Sequence, residues 1–479
     1  MIEVLNGGPV QPLKEAVLFS FDEMSLPYAA GLRLHLVPGK GPGVKVPIVV
    51  RAGKPGEPDA MSVRYYGTVI QIGDKLHMWY QAIGSLENRK GGPRRMCYAV
   101  SSDGLNWEKP KLGVVEYNGS KDNNIVDLLG GECVMAASPV LYDPDDPDPN
   151  RRFKTVFECG KYGNRIAVAY SPDGFRWKES PDNPVGAPLE QCGLIRFNGV
   201  YYVNGQGGNH FGPGRKLVTY ASYDFENWTL AGCLGLFRGN VPPRQSATEW
   251  GVGEEVHLGA GMWDRGNVVL GIYGMWHGHP TGDRSYLTMD LGFVVSNDAL
   301  HFREPIPDFK TIPAFEEPEV PIGGGPALMQ GQGMWNVGDQ TLFWYESWRD
   351  GGVRLAKWRR DRLGYFDVSW VRPDDVPNQC ISCPVRIGRK GVKAYVNLDG
   401  VSENSCLKVE VCDEKFYPIP GYTAADCVPL KTPGLRQEVK WRGGDVVRWD
   451  KGPIRLKVLF EGLRVEDVKF YALYLGAED

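Results

Sequence analysis

The sequence has no long hydrophobic run, no extended helical periodicity and no block of like charges. No segment approaches the roughly 18 consecutive apolar residues that a membrane-spanning helix needs. The net charge is −4, and without a basic stripe neither nucleic acid nor an anionic membrane surface is predicted as a partner. The first 23 residues contain no basic segment followed by an apolar run. No signal peptide is therefore predicted, and a cytoplasmic location is expected.

Cofactor and metal motifs are also missing from the sequence. It contains neither a P-loop nor the glycine fingerprint of a dinucleotide-binding fold. Among the ten cysteines, Cys380 and Cys383 form a CxxC pair, but no second pair stands at zinc spacing. We therefore predict no cofactor and no metal site. Without a secretory signal, the cysteines are expected to be buried free thiols and not a disulfide framework.

Glycine, proline and aromatic residues, in contrast, are abundant. The chain has 61 Gly, 36 Pro, 14 Trp and 22 Tyr among its 479 residues. This composition is typical of many short strands joined by turns, so an all-β fold is predicted. The length indicates two domains, or one large repeat domain with an added module.

One motif recurs five times and joins an Asp to an aromatic residue a few positions later. The pairs are Asp103/Trp107, Asp173/Trp177, Asp224/Trp228, Asp298/Phe302 and Asp361/Phe366. We expect the Asp to accept hydrogen bonds from the backbone amides of a tight turn, and the aromatic ring to fill the gap between neighbouring sheets. Spacings of 70, 51, 74 and 63 residues suit four-stranded blades with loops of variable length. The motif therefore predicts a five-bladed β-propeller.

After residue 370 the motif stops and the pattern changes. Four segments then alternate apolar and polar residues, as the strands of a β-sandwich with one buried face do. The sequence is therefore divided into three parts. These are an N-terminal arm packing on the propeller (1–60), the propeller as catalytic domain (61–371) and a C-terminal β-sandwich module (372–479).

The blade turns and the C-terminal strands resemble the glycoside hydrolase clan of families 32, 43 and 68, and more closely bacterial proteins similar to family 32. The resemblance covers the whole chain and implies three carboxylates that project from the inner strands of blades one to three into a central funnel. Glu190, just ahead of an apolar strand, resembles the general acid of blade three. Arg64 and Tyr65 stand where the first Asp of the clan is expected, and residues 137–139 (Ala-Ser-Pro) replace the Arg-Asp-Pro of blade two. The familiar triad is therefore incomplete.

A second carboxylate must come from elsewhere in the chain if the protein is a glycosidase. Glu254 and Glu255 stand at the start of the predicted inner strand of blade four, next to the blade of Glu190. Strand alternation puts Glu255 and His257 on one face and Glu254 on the other, and either face could meet the funnel. Glycosidases hold their two carboxyl groups about 5 Å apart for retention or about 6.5–9.5 Å apart for inversion. Further predicted funnel residues are Asp59, Arg64, Glu158, His257, Trp276, His277, Gln332 and Glu346.

The resemblance implies a glycoside hydrolase that removes a terminal sugar, furanosyl or otherwise unusual, from a small oligosaccharide or glycoside. Glu190 would be the general acid, and Glu255 or Glu254 the nucleophile or base. A glycoside phosphorylase is one alternative, with Arg64, His257 and His277 as candidates for a phosphate pocket. A non-catalytic carbohydrate-binding propeller is the other, because the clan's Asp residues are missing. The expected partner is the carbohydrate, and a homo-oligomer is left open.

Overall fold

A computed structural model describes residues 1–39, 46–85, 94–131, 138–207, 211–212, 214–238, 253–279, 282–283, 285–314, 326–348, 351–369 and 376–478. These ranges contain 32 strands and no α-helix; their helical turns are short 3₁₀ turns at Leu129–Gly131, Pro149–Arg151, Gly160–Tyr162 and Val465–Asp467. The predicted all-β class is confirmed. None of the helical segments in these ranges has the length and apolar character needed to cross a membrane.

The strands are numbered along the chain. The N-terminal strands are β1 (Ile2–Val4), β2 (Glu15–Phe19), β3 (Tyr28–Ala30), β4 (Leu32–Leu36) and β5 (Ile48–Val50). The central strands are β6 (Ser62–Ile72), β7 (Lys75–Ile83), β8 (Arg95–Ser101), β9 (Val140–Tyr142), β10 (Phe153–Phe157), β11 (Ala167–Ser171), β12 (Lys178–Glu179), β13 (Glu190–Phe197), β14 (Val200–Gly207), β15 (Lys216–Ser222), β16 (Cys233–Leu236), β17 (Glu254–Asp264), β18 (Val269–His277), β19 (Thr288–Ser296), β20 (Lys310–Ile312), β21 (Leu328–Val337), β22 (Gln340–Ser347) and β23 (Val353–Arg359). The C-terminal strands are β24 (Gly364–Val368), β25 (Gln379–Ile381), β26 (Val385–Ile387), β27 (Val392–Asp399), β28 (Ser405–Asp413), β29 (Gly434–Glu438), β30 (Val446–Val447), β31 (Ile454–Gly462) and β32 (Lys469–Ala477).

The central strands form antiparallel meanders in sequence order. The second, third and fourth meanders are the four-stranded sheets β9–β12, β13–β16 and β17–β20. The first meander (β6–β8) and the fifth (β21–β23, with β5 added at its edge) share one seven-stranded sheet, in which they meet at a parallel bridge between Gln332 and Thr68. The first strands of the meanders contact one another in the order β6, β9, β13, β17 and β21, and β21 contacts β6 again. The contacts among the first strands therefore form a closed ring, and the centre of this ring is called the axis.

The Asp turns of the recurrent motif have the predicted structure in four of five copies. Asp103 accepts from the backbone amides two and three residues ahead, at 2.8 Å each. The same pair of bonds is made by Asp173, Asp224 and Asp298. The prediction is wrong for Asp361, whose buried carboxylate binds the Arg265 guanidinium at 2.5 and 3.1 Å and accepts from the Tyr474 hydroxyl at 2.9 Å. This Asp connects the fourth meander to a C-terminal strand.

The two ends of the chain combine in two further sheets. One has the order β1-β26-β31-β25-β3, with β28 also paired to β31. The other has the order β29-β27-β32-β24-β4, with β2 on β32 and β30 on β27. A single hydrophobic cluster contains side chains from both sheets, among them Leu18, Val409 and Leu473. Residues 2–36, expected as an arm on the propeller, therefore supply strands to the C-terminal sheets, as does β24.

Bulges interrupt the first strands of four meanders near their start. The register shifts lie between residues 64 and 68 in β6, 191 and 193 in β13, 257 and 260 in β17, and 330 and 334 in β21. Close backbone approach requires glycine at such points. A Cβ atom on Gly67 would lie 1.8 Å from the carbonyl oxygen of Trp79. Bulges re-aim side chains, so simple strand alternation does not decide which residues of these segments face the axis.

Candidate active site

Glu158 and Glu190 lie close together on neighbouring meanders. Glu158 directly follows β10, and Glu190 is the first residue of β13. The buried Gln191 side chain joins the two segments: with its amide oriented to satisfy its neighbours, Oε1 accepts from the backbone amides of Glu158 at 2.5 Å and Phe157 at 3.2 Å. Burial and the negative charge of Glu190 raise the pKa of Glu158 to about 7. Glu158 is therefore a carboxyl that still holds its proton in part at neutral pH, beside a second carboxylate.

Gln206 orients the Glu190 carboxylate. It stands opposite Glu190 in the β13–β14 register, and its Nε2 donates to Glu190 Oε2. Its Oε1 accepts from the backbone amide of Leu258 at 3.2 Å and from Nη1 of Arg215 at 3.2 Å. Both ends of this amide are thus in use, and the position of Glu190 is tied to the fourth meander through β17.

Glu346 is a third buried carboxyl, on β22 of the fifth meander. Its side chain accepts from the backbone amide of Tyr65, and Oε1 lies 3.5 Å from Nη1 of Arg64. The same Nη1 donates to the carbonyl oxygen of Trp348 at 2.5 Å. Burial raises the pKa of Glu346 to about 6, although the Arg64 charge opposes this rise. The predicted candidates Arg64 and Glu346 therefore form one unit.

Tyr66 lies close enough to both Glu190 and Glu346 to be affected by their charges. The sequence analysis did not name Tyr66 as a candidate. Burial and the charges of Glu346 and Glu190 raise the pKa of Tyr66, whereas Arg64 and Arg94 lower it by smaller amounts. Charges from the first, third and fifth meanders therefore converge on one phenol. No sequence pattern marks Tyr66, because the bulge of β6 that contains it depends on the pairing of β6 with β7.

Glu255 faces a cation and an aromatic ring. Its Oε2 lies 3.5 Å from Nε of Arg215. The Arg215 guanidinium lies over the Trp276 ring at 4.2 Å from the centroid, and the His257 ring stacks on Trp276 at 5.4 Å with an interplanar angle of 17°. Trp276 is 0% exposed, so in this structure it supports Arg215 and presents no face to a sugar.

Glu254 and His277 belong to a separate ion cluster on the other face of β17. Glu254 Oε2 lies 2.5 Å from His277 Nδ1 and 3.2 Å from Nη2 of Arg238. His277 Nε2 lies 2.9 Å from Asp290 Oδ2. Burial lowers the pKa of His277, but the hydrogen bonds and charges of Asp290 and Glu254 outweigh burial and raise it. The imidazolium therefore bridges two carboxylates within the fourth meander.

Asp59 and Gln332, both predicted for the funnel, make buried contacts with the protein. Asp59 accepts from the Tyr80 hydroxyl at 2.8 Å and binds Nζ of Lys109 at 2.6 Å. Gln332 accepts from the backbone amide of Leu194 at 2.6 Å, and its Nε2 donates to the carbonyl oxygen of the same residue. The Gln332 side chain thereby links β21 to β13 across the axis. Its amide makes the same two hydrogen bonds to Leu194 that the backbone of a paired strand residue makes.

Beyond Gln332, a cavity of about 330 Å³ is lined by later residues of all five first strands, among them Ile70, Leu141, Ile195, Met262 and Met334. Gln332 and Leu194, which bond to each other, line this cavity. Glu190 lies earlier in its first strand than Leu194, on the other side of this pair of hydrogen bonds. Of the residues replacing the blade-two motif, Ala137 lies outside the described part of the chain.

The cysteines that the structure describes are free thiols, and all of them are buried as expected except Cys233, which is half-buried. Nine are described, and Cys380 and Cys383 are both buried. Within the described ranges no group of three or more His, Cys, Asp and Glu side chains is arranged to hold a metal ion.

No protein-family model and no curated protein matches this chain, but solved structures do. One is from a study of glycoside hydrolases in the GH130 family of mannoside phosphorylases that target β-1,2 mannosidic linkages in Candida mannan; it has a TM-score of 0.43 and 15% identity, covering 69% of this chain and 98% of that one. A glycosyl hydrolase from Bacteroides ovatus has a TM-score of 0.42 and 15% identity, covering 69% and 98%. A fructofuranosidase from Schwanniomyces occidentalis, complexed with fructosylnystose, has a TM-score of 0.38 and 12% identity, covering 90% and 98%.

Proposed function

We propose that this protein is a glycoside hydrolase that uses Glu158 and Glu190 as its pair of carboxyl groups. The observation that carries the proposal is the placement of two carboxyl groups on neighbouring meanders: the side chain of Gln191, next to Glu190, accepts from the backbone amide of Glu158. The Glu190 charge and burial raise the pKa of Glu158 to about 7. A general acid works best when its pKa lies near the working pH. Glycosidases pair such an acid with an ionised carboxylate. In our proposal Glu158 protonates the leaving-group oxygen, while Glu190, oriented by Gln206, is the nucleophile or the base that activates water.

These roles differ from the sequence expectation, in which Glu190 was the acid and Glu255 or Glu254 its partner. Arg215 lies against Glu255, and His277 and Arg238 lie against Glu254. We propose that these two carboxylates maintain the wall of the site and do not react. Glu346, held in the same way by Arg64 and by the backbone amide of Tyr65, is proposed to belong to this wall as well.

We further propose that the five meanders form a five-bladed β-propeller and that the two sheets built from the chain ends form a β-sandwich. The closed order of contacts among β6, β9, β13, β17 and β21 supports the propeller, and the shared hydrophobic cluster supports the sandwich. The division that follows assigns residues 48–359 to the propeller. Residues 2–36 and 364–477 form the sandwich together.

The substrate is proposed to be an oligosaccharide or small glycoside that enters by its terminal sugar. The Gln332 side chain bonds across the axis to Leu194, which supports a funnel closed at its narrow end. A sugar chain could then enter and leave only by the open mouth, so its end would meet the carboxyl groups first.

Leaving-group dependence tests the proposed roles. A dinitrophenyl glycoside needs no protonation to depart, whereas an alkyl glycoside does, so Glu158→Gln should lose at least about 10³-fold in kcat on the alkyl substrate and much less on the dinitrophenyl one. Glu190→Gln should lose activity on both. Glu403→Gln, at a carboxylate whose side chain is 86% exposed, is the matched control and should behave as the wild type. Undiminished turnover in both variants would overturn the proposal, as would sugar binding by the wild type without turnover on any glycoside.

Phosphorolysis is a second candidate, because arginines border the carboxyl groups. Arg64 contacts Glu346, Arg215 contacts Gln206 and Glu255, and Arg94 lies 3.5 Å from Gln81. Guanidinium groups of this kind bind phosphate well. Turnover that requires inorganic phosphate and releases a sugar 1-phosphate would establish this reaction in place of hydrolysis. Equal rates with and without phosphate would exclude it.

A further inference from the structure

The geometry points to Tyr66 as a further residue that touches the substrate: its hydroxyl donates a hydrogen bond to a hydroxyl of the terminal sugar, between Glu190 and Glu346. This inference rests on the proposed function and adds a specificity-determining contact to it.

The first argument is the position of Tyr66 on a bulge. In β6, Arg64 pairs with Gln81 and Thr68 pairs with Trp79, so three residues stand where regular pairing would place one. Bulges bend a strand and re-aim its side chains, and they are frequent beside active sites. Tyr66 is the middle residue of this bulge. It follows directly on Arg64 and Tyr65, the two residues that hold the Glu346 carboxylate.

The second argument is that the Tyr66 ring is held in place. The ring packs against a buried cluster that includes Cys192, Trp276 and Met329, beside Trp348. Its backbone carbonyl accepts from the amide of Ser138 at 3.1 Å. Packing of this kind restricts the rotamers of the side chain, so the direction of its hydroxyl is set before a substrate arrives.

The third argument is the unused hydroxyl. Two other buried tyrosines of the first meander spend their hydroxyls on protein: Tyr65 donates to the carbonyl oxygen of Gln332 and Tyr80 to Asp59, at 2.8 Å each. The Tyr66 hydroxyl makes no hydrogen bond to any residue in the described ranges. A half-buried phenol normally finds a partner. A sugar hydroxyl in the site would supply it.

The charges around the phenol fix its role as a donor. Burial together with Glu346 and Glu190 raises the pKa of Tyr66, so the oxygen keeps its proton throughout the neutral range. A protonated phenol donates a hydrogen bond but is a poor nucleophile or base. The first meander therefore contributes a neutral donor, while the carboxyl groups come from the other meanders.

Tyr66→Phe tests the contact because it removes one oxygen and keeps the packed ring. On an aryl glycoside that the wild type hydrolyses, kcat/KM should fall about 10- to 100-fold, with an unchanged thermal midpoint. Tyr98→Phe is the matched control: its hydroxyl bonds His77 at 2.6 Å in the first meander, and kcat/KM should not change. The decisive measurement repeats the assay on monodeoxy analogues of the accepted sugar. For the analogue that lacks the contacted hydroxyl, wild type and Tyr66→Phe should have equal kcat/KM.

Two results would overturn the inference. One is an unchanged kcat/KM in Tyr66→Phe. The other is an equal loss on every deoxy analogue, which would indicate a structural effect of the substitution. Failure of the proposed function is recognised separately, since the wild type would then hydrolyse no aryl glycoside. In that case calorimetry with a panel of monosaccharides decides, and an unchanged Kd in Tyr66→Phe, or no sugar binding by the wild type, would overturn the contact.

Discussion

The start of β13 and the start of β17 place the same kind of residue in two different surroundings. At β13, Glu190 is oriented by an amide, Gln206, and lies near a second carboxyl, Glu158, whose pKa rises to about 7. At β17, Glu254 lies 2.5 Å from the raised-pKa imidazole of His277, and Glu255 forms an ion pair with Arg215 at 3.5 Å. Burial affects both places. The described charge that acts on Glu158 is negative, whereas the described charges beside Glu254 and Glu255 are positive.

This difference distinguishes carboxyl groups suited to catalysis from carboxylates that stabilise the structure. A carboxyl beside a like charge holds a proton that it can give away near neutral pH. A carboxylate beside a cation has its charge compensated and contributes mainly to holding the strands in place. The comparison therefore supports our proposal that Glu158 and Glu190 are the reacting groups and that the Glu254 cluster is the frame that holds the strands in place.

The largest effect should come from neutralising one carboxylate in each place. Glu190→Gln is expected to lower kcat by at least about 10³-fold, because it removes a reacting group. Glu254→Gln should change kcat by less than about tenfold, because it touches only the frame. Steady-state kinetics on one accepted glycoside measures both. Equal losses of kcat in the two variants would contradict the proposed difference between Glu190 and Glu254.

A smaller effect is expected when the cation at β17 is removed. Arg215→Met leaves the Glu255 carboxylate buried without this partner, and such losses cost about 3–5 kcal/mol of unfolding free energy. Arg386→Met is the matched control, because its side chain is 58% exposed beside Glu3, and it should cost less than about 1 kcal/mol. Urea denaturation measures both values. Equal costs would mean that Arg215 does not support Glu255.

The third prediction concerns the pH dependence of the frame. The pKa of His277 is raised in the folded protein, so the stabilisation is fully present below the unfolded value of about 6.5 and is lost as pH rises through the folded pKa. His277→Gln should therefore destabilise the protein by about 1–2 kcal/mol at pH 6 and by less at pH 9. Denaturation at the two pH values tests this. A pH-independent cost would contradict the charged imidazole bridge.

The smallest effect is expected at Glu158, with the opposite sign. Its pKa rises from 4.5 to about 7 on folding, so the folded state binds more protons between these values and its stability falls as pH rises through that window. Glu158→Gln removes this penalty and should raise the unfolding free energy by roughly 1 kcal/mol at pH 8, and not at pH 4. Glu403→Gln should show no such pH dependence. Equal unfolding free energies of wild type and Glu158→Gln at pH 8 would mean that ionised Glu158 does not destabilise the folded protein.

Local sequence patterns predicted the all-β class, four of the five Asp turns and the position of Glu190 at a strand start. They failed where distant residues decide. The raised pKa of Glu158 depends on burial and on the charge of Glu190, more than thirty residues along the chain. One partner of Glu255 is Arg215, which belongs to another meander. Tyr66 was missed because the bulge that surrounds it depends on pairing with β7.

The pairing of the chain ends has a consequence for biosynthesis. Strands β1 to β4 are synthesised before the meanders, yet their partners β24, β25, β26 and β32 are synthesised after the meanders. The meanders, in contrast, pair neighbours along the chain and can form while translation continues. Contacts between distant segments form slowly during folding. Strand β2 has four of its five residues buried in the folded protein, so before it pairs it exposes apolar side chains that favour aggregation with other chains. In the nascent polypeptide, strands β1 to β4 are therefore expected to be more vulnerable to aggregation than the meanders until strands β24 to β32 have been synthesised.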